Sequence, residues 1–398
     1  MNIVYLHQYF KEPTQGGGVR SYVISKGLVD KGHTVKVITG SSHIKRKMEK
    51  EVDGVKVVYL PVNYSQSFSF LARVFSFLKF TVYSTFELLS SKNVNLVIAT
   101  STPLTISIPA IINRFLRGIP YIFEVRDVWP EAPIAIGAIS NKLLVRAAFC
   151  LEYFSYRWSA QVVSLSVDMQ ESIVSRYPRF REKSTHVITN ISDISLFNNS
   201  MEASGGFEKR FCILYAGTFG AVNGIGYAIA LSKMLREMDS SIGFYLMGTD
   251  GNDAECVNLA REANVYNRTV FFQDPVSKNE LPSYYKAVNM GSSFVINKPQ
   301  LWANSANKYF DSLAAGKPIL INYGGWQRKE IHEEDIGYCL DADLSLISKI
   351  DLMKFIDYTY DIERHIVQAK NARKLAIDKY SEVLAIDSYN SICTQIDV

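Results

Sequence analysis

Lys308 and Asp311 stand three residues apart in the run NSANKYFDSLAAGKP, residues 304–318, and lie on adjacent faces if that run is a helix. A lysine at a helix N-terminus suits a phosphate, because unbonded N–H groups and the helix dipole already favour negative charge there. A carboxylate one turn later suits the diol of a ribose. The run carries helix signals: Asn304 and Ser305 can accept its first N–H groups, Tyr309, Phe310 and Leu313 form an apolar stripe, and Gly316 ends it. Asn307 adds a polar group at its front, and ILIN after Pro318 reads as a short buried strand. An ordinary amphipathic helix with a solvated Lys–Asp pair would show the same spacing.

Two glycine-rich turns have the layout of phosphate loops, strand then glycines then helix. The first follows NIVYLH and contains Gly16, Gly17 and Gly18, with Arg20 at the helix start; the second follows FCILYA and contains Gly217, Thr218, Gly220 and Asn223. Neither is G-x-G-x-x-G, so a dinucleotide site is poorly supported. A third cluster, Glu124, Arg126, Asp127 and Glu131, follows the strand PYIFE, at the carboxyl edge where open parallel sheets bind ligands. A structural ion pair reads equally well there. Asp341-x-Asp343 reads as a surface loop, and the six histidines form no triad with any Ser or Cys. Five cysteines without a C-x-x-C pair argue against zinc and against a disulfide framework, and read as core thiols.

Strands and helices alternate through both halves of the 398 residues, which describes an α/β protein of two facing Rossmann-like domains with a cleft between them. The expected units are 1–195, 196–375 and a final helix, 376–398, returning to the first. Charge is uneven: residues 1–195 hold 23 Lys and Arg against 14 Asp and Glu, and residues 196–398 hold 20 against 25. A basic first half suggests an anionic surface or substrate, with nucleic acid disfavoured by the lack of any binding motif. The stretch 66–89, QSFSFLARVFSFLKFTVYSTFELL, is dominated by Phe and Leu but interrupted by Arg73, Lys79 and Glu87. It reads either as one or two helices lying in a membrane interface or as helix packed in the first core. No window is long and apolar enough to span a bilayer, so the expectation is a cytoplasmic protein, peripheral on the inner leaflet.

The run 304–318 resembles the donor segment P-x-K-x-x-E-x-x-A-x-G-x-P of retaining GT-B glycosyltransferases of family 4. The resemblance implies that Lys308 holds the donor diphosphate and that Asp311 takes the place of the second glutamate of the family's E-x7-E pair. Ala303 stands where the first glutamate belongs. GGGVR resembles the family's first glycine loop, HVITN with Ile191-Ser192-Asp193 its hinge strand, and FFQDPVSKNELPSYY the segment against which the base stacks, giving Pro275 and Val276 as base-pocket positions. FEVRDVWPEAPIAIGAI resembles WbuB-type fucosaminyltransferases of O-antigen and capsule synthesis. There Arg126-Asp127 occupies the place of the His-Asp found in many members. Thr218 and Asn223 replace the usual loop Arg and Lys, leaving Lys308, Arg20 and Lys298 as cations for the diphosphate.

By resemblance the chain is a metal-independent transferase that needs no cofactor and moves a sugar from a UDP-sugar donor to a lipid-linked glycan acceptor. Arg126, Asp127 and Lys308 are the catalytic candidates, and Glu124, Glu131, Arg73 and Lys79 lie on the acceptor or membrane side. The alternatives are a nucleotide-sugar-binding scaffold subunit, or another GT-B enzyme such as a nucleotide-sugar epimerase.

Overall fold

The structure, a computed structural model, describes residues 1–15, 18–65, 68–184, 186–199, 202–248 and 253–396. Short apolar strands alternate with helices, so the parallel strands are covered on both faces, as parallel sheets require, and only the charged edge strand Met48–Val52 is exposed among the described strands. The first sheet holds β1 (Asn2–Leu6), β2 (Thr34–Ser41), β3 (Met48–Val52), β4 (Val55–Pro61), β5 (Leu96–Thr100), β6 (Tyr121–Val125), β7 (Gln161–Ser164) and β8 (His186–Val187). Their order is β3-β4-β2-β1-β5-β6-β7-β8, all pairs parallel except the β3–β4 hairpin. The second sheet holds β9 (Phe211–Ala216), β10 (Ile242–Met247), β11 (Val270–Gln273), β12 (Met290–Ser293), β13 (Ile319–Ile321) and β14 (Gly337–Cys339), in the order β11-β10-β9-β12-β13-β14.

In each sheet the strand order reverses beside the first strand of that half. β1 pairs on one side with β2 and on the other with β5, and β9 pairs with β10 and β12. Helices leave such a point in opposite directions and open a crevice at the carboxyl ends of the strands. The turn after β9 sits at the second of these crevices, and Gly18, the described glycine of the first run, lies against Asn307 across from it.

The last helix, Glu382–Ile396, packs with the first sheet. Its Ala385, Tyr389, Ile392 and Cys393 share a buried core with Ile3, Leu28 and Val35, and at Gly27 a Cβ would lie 2.4 Å from Ile386. Where the chain crosses between the sheets, the Ser192 hydroxyl donates to the Phe310 carbonyl at 2.9 Å, and Glu382 accepts the N–H groups of Ile194 and Ser195.

Arg20 and Glu124 do not face the crevice as the sequence suggested. Both are fully buried and pair with each other, Arg20 Nε to Glu124 Oε1 at 2.7 Å. The guanidinium also donates to the carbonyls of Ile188 and Thr189, and the carboxylate accepts from Tyr5 at 2.8 Å and Thr100 at 2.6 Å. The pair therefore ties β1, β5 and β6 to the segment leading into the second domain. Burial alone would raise the Glu124 carboxyl, but the guanidinium groups of Arg20 and Arg126 outweigh it and push it down to about 2. A depressed carboxylate stabilises the fold above its ordinary 4.5, and that contribution is lost as pH falls through about 2. Glu124→Gln, leaving Arg20 without its counter-charge, is expected to lower unfolding stability by about 3–5 kcal/mol in urea titrations at neutral pH. The variant should also lose part of the wild type's acid sensitivity; equal stability would mean the pair is not the tie described.

Candidate functional site

The two crevices face each other across a cavity of about 860 Å³ lined from both domains. That volume lies in the range of small-molecule sites. Its wall from the second domain is the helix Asn307–Ala314 and the loop after β9. The helix begins one or two residues later than expected, and no side chain caps it. Asn304 and Ser305 fail as caps because they are engaged elsewhere: Ser305 Oγ accepts the Asn190 N–H at 3.2 Å from the other domain, and the Asn304 amide donates to the Leu301 carbonyl at 3.0 Å. The helix start is therefore left without a side-chain acceptor, and a positive dipole end opens on the cavity. Gly316, at φ +61°, ends the helix as expected.

Lys308 lines the cavity at that helix start. Its ammonium lies over the Tyr215 ring, 4.7 Å from the centroid, and against Gly217, where a Cβ would come within 3.2 Å of Nζ. Burial lowers it to about 8, against the opposing pull of Asp311. Thr218, Asn223, Asn304 and Asn307 line the same wall. Asn223 donates to the Thr218 carbonyl and hydroxyl at 3.0 and 3.1 Å, and Gly220 lies buried beneath them, its carbonyl accepting the Asn223 N–H.

On the facing wall Arg126 and Asp127 leave β6 into the cavity. Asp127 accepts from the Thr102 hydroxyl at 2.6 Å, and the Arg126 N–H donates to Ser101 Oγ at 3.0 Å. The Arg126 guanidinium donates to His7 Nε2 at 3.2 Å, which places the ring proton on Nδ1. Burial and that cation hold His7 well below its ordinary value, so it is neutral. His7 was missed in the sequence, although it directly follows β1 at a carboxyl edge, which is the signal that found Arg126.

Gly18 approaches Asn307 so closely that a Cβ would lie 2.5 Å from its Nδ2. Gly16 and Gly17 lie outside the described residues. Ser166 of the first domain donates to the Ala303 carbonyl at 2.6 Å, and Ala303 packs on the buried cluster of Val128, Leu165 and Met169. A glutamate at 303 would meet that apolar cluster. The neighbouring Asn304 Oδ1 is buried without a hydrogen-bond partner.

The remaining sequence candidates fall elsewhere. Asp311 is buried and pairs with Lys278, itself buried; burial raises the Asp311 carboxyl despite that ammonium. Lys278 was missed because it lies 33 residues earlier, in the loop after β11. In that loop Pro275 is exposed and Val276 packs near Leu281 and Tyr285, so neither lines the cavity. Glu131 pairs with Arg176, Lys298 is exposed, and Lys79 lies over the Tyr83 ring outside the cavity. Arg73 does line it, with its Nε buried and unpartnered. Lys11, Arg73, Arg126 and Lys308 face a single acid, Asp127, among the described residues of the lining. Asp341 accepts the N–H of Asp343 in a turn, and among the described residues no group of three His, Cys, Asp or Glu is placed to hold a metal. Of the cysteines, Cys212, Cys256 and Cys393 are buried as expected, whereas Cys150 is exposed.

A sucrose-phosphate synthase from Thermosynechococcus elongatus superposes over 99% of this chain and 98% of its own, with a TM-score of 0.77 at 14% identity. Anabaena HepE in complex with UDP and glucose superposes over 99% and 100%, with a TM-score of 0.70 at 17% identity. The fold is GT-B. The catalytic domain of starch synthase IV from Arabidopsis thaliana, bound to ADP and acarbose, has a TM-score of 0.68 at 12% identity over 99% of both chains. Residues 15–190 match the family model of a glycosyl transferase 4-like domain. None of the curated proteins matches the chain in sequence. GT-B architecture thus agrees with the expectation from the donor-segment resemblance.

Two outcomes follow from the second domain's lysines. Lys308 is charged below about pH 8, so affinity for UDP should fall about ten-fold from pH 7 to pH 9 in calorimetric titrations, with proton uptake at the higher pH. A flat profile would mean Lys308 does not meet the diphosphate. Lys278→Met strands the buried Asp311 carboxylate and should cost about 3–5 kcal/mol in unfolding stability, most of it restored by adding Asp311→Asn.

Proposed function

We propose that the protein is a retaining glycosyltransferase that moves a sugar from a UDP-sugar to a lipid-linked glycan acceptor, without a metal, in the synthesis of a bacterial surface polysaccharide of the O-antigen or capsule kind. The observation that carries this reading is Lys308 at the head of an uncapped helix, facing a second crevice across the shared cavity. A nucleotide diphosphate supplies the anion that the ammonium and the helix N–H groups lack. As the bond from the anomeric carbon to the diphosphate breaks, negative charge grows on the departing oxygen. Lys308 and the helix start stabilise that charge most in the transition state, which is what accelerates departure.

In this reading the acceptor hydroxyl attacks from the face the diphosphate leaves, its proton passing to the departing oxygen, and no protein nucleophile is assigned. Asp127, held by Thr102, and Arg126 orient the acceptor. With Ala303 unable to reach the donor sugar, the unpartnered Asn304 Oδ1 accepts from one of its hydroxyls. The unpartnered Nε of Arg73 and the basic lining suit the phosphate of a lipid diphosphate acceptor. UDP is preferred as the carrier because HepE is solved with UDP, and ADP is the competitor because starch synthase IV is solved with ADP.

The scaffold reading is favoured by one observation, the capture of Asp311 by Lys278. Titration with UDP, ADP and GDP in EDTA, followed by hydrolysis and transfer assays, separates the two. UDP should bind without metal, and Lys308→Ala should weaken it by about 1.5–3 kcal/mol, the worth of a charged hydrogen bond. UDP binding with no turnover on any lipid-diphosphate acceptor would favour the scaffold; no loss in Lys308→Ala would remove the lysine from the site.

A further inference from the structure

Among its described residues the stretch 66–89 that read as interface or core contains one helix, Phe70–Ser90, with apolar residues on both its inner and its outer side. Its inner side packs on the first sheet through Phe80 and Leu88, and its first two turns wall the cavity with Phe70, Arg73 and Phe77. Its outer side is an apolar stripe at helical spacing: Leu71 is 77% exposed, Phe75 69%, Leu78 51%, Val82 50% and Phe86 70%. Such a stripe is normally the buried face of a surface helix, and a contiguous exposed one marks an interaction surface.

Two further helices extend it. Ser107–Arg117 packs beside Phe70–Ser90 and exposes Phe115 and Leu116 at its end; Lys142–Trp158 packs on the other side of that helix and exposes Leu143 and Leu144 at its start. The charge on this face has one sign. Arg114, Arg117, Lys142, Arg146 and Arg157 are exposed, whereas the only acids of the three helices, Glu87 and Glu152, are buried and paired, with Lys36 at 2.5 Å and Arg176 at 2.7 Å. A surface that is apolar along its ridge, cationic around it and free of exposed carboxylates complements anionic headgroups above acyl chains. A second copy of the chain would set these cations against themselves.

We infer that this three-helix face docks the protein on an anionic lipid bilayer. The placement deepens the proposed function, on which its purpose rests. Phe70 and Arg73 lie at the cavity while Leu71 and Phe75 of the same two turns lie on the docking face. The cavity therefore opens at the edge of the bilayer, within reach of a headgroup whose lipid stays in the membrane. Among the described residues no helix is long and apolar enough to cross a membrane, so the contact is interfacial.

The test is co-sedimentation of the full chain with phosphatidylglycerol–phosphatidylethanolamine vesicles and with phosphatidylcholine vesicles, reading UDP affinity on the same samples. Binding to the anionic vesicles should exceed that to phosphatidylcholine by about ten-fold or more. It should fall by a similar factor in Phe75→Ser with Phe86→Ser and Leu116→Ser, and separately in Lys142→Glu with Arg146→Glu. All of these positions are exposed and outside the cavity lining, so UDP affinity should not change. Absent vesicle binding, or variants that bind as the wild type does, would overturn the inference. So would a dimer in solution that the serine variant dissociates, since a second copy would then cover the face. Vesicle binding without UDP binding would sink the transferase reading alone, and UDP binding without vesicle binding would sink the docking face alone.

Discussion

An ammonium enclosed at the positive end of an uncapped helix is unfavourable until an anion joins it, and the cleft is built around that constraint. Lys308 is not neutralised by the acid one turn on, because Lys278 holds Asp311. Its surroundings avoid adding bulk or charge. Gly217 leaves room where a side chain would crowd the ammonium, the Tyr215 ring gives it a polarisable floor, and the neutral Thr218 and Asn223 satisfy each other. The loop after β9 is neutral, which leaves the charge on this wall of the cavity to one lysine whose value has fallen to about 8.

The architecture was legible because it rests on short-range pattern: apolar strands, amphipathic helices and glycines where strands turn into helices. The position of Lys308 was legible for the same reason, since a helix and its first turn are local. What the sequence misassigned depends on partners distant along the chain. Arg20 looked like a phosphate ligand because it follows a glycine loop, but its carboxylate partner lies 104 residues away on β6 and draws it into the core. Asn304 and Ser305 had the composition of caps, yet Asn190 of the other domain claims Ser305. For the stretch 66–89 composition posed a choice between two surroundings, and the helix Phe70–Ser90 carries apolar residues both on the side packed in the first core and on the side left exposed.

The excess of basic residues in the first half divides by environment. Arg20 and Arg176 are committed to buried carboxylates, Glu124 and Glu152. Lys11, Arg73 and Arg126 line the cavity, and others surround the exposed apolar stripe. A count of charge could indicate an anionic partner, but not how the cations divide between a ligand and a surface. That division follows from which helix faces the sheet leaves outside, a property of topology.

Closure of the cleft depends on small groups meeting across it. Gly18 fits against Asn307, Gly325 against the Asp168 carboxylate, and Ser166 reaches the Ala303 carbonyl. The same closeness accounts for the departure at position 303. Once the first domain's Val128, Leu165 and Met169 press on that residue, a glutamate there would bury a carboxylate among methyl and thioether groups, at a cost that no partner in that cluster offsets. Alanine lets the domains meet, and the next residue, Asn304, carries a neutral amide that tolerates burial where a carboxylate would not. Alanine at 303, where the donor segment that this run resembles has a glutamate, is in this light a consequence of how tightly the two halves pack, and the hydrogen-bond acceptor left beside it, Asn304 Oδ1, carries no charge.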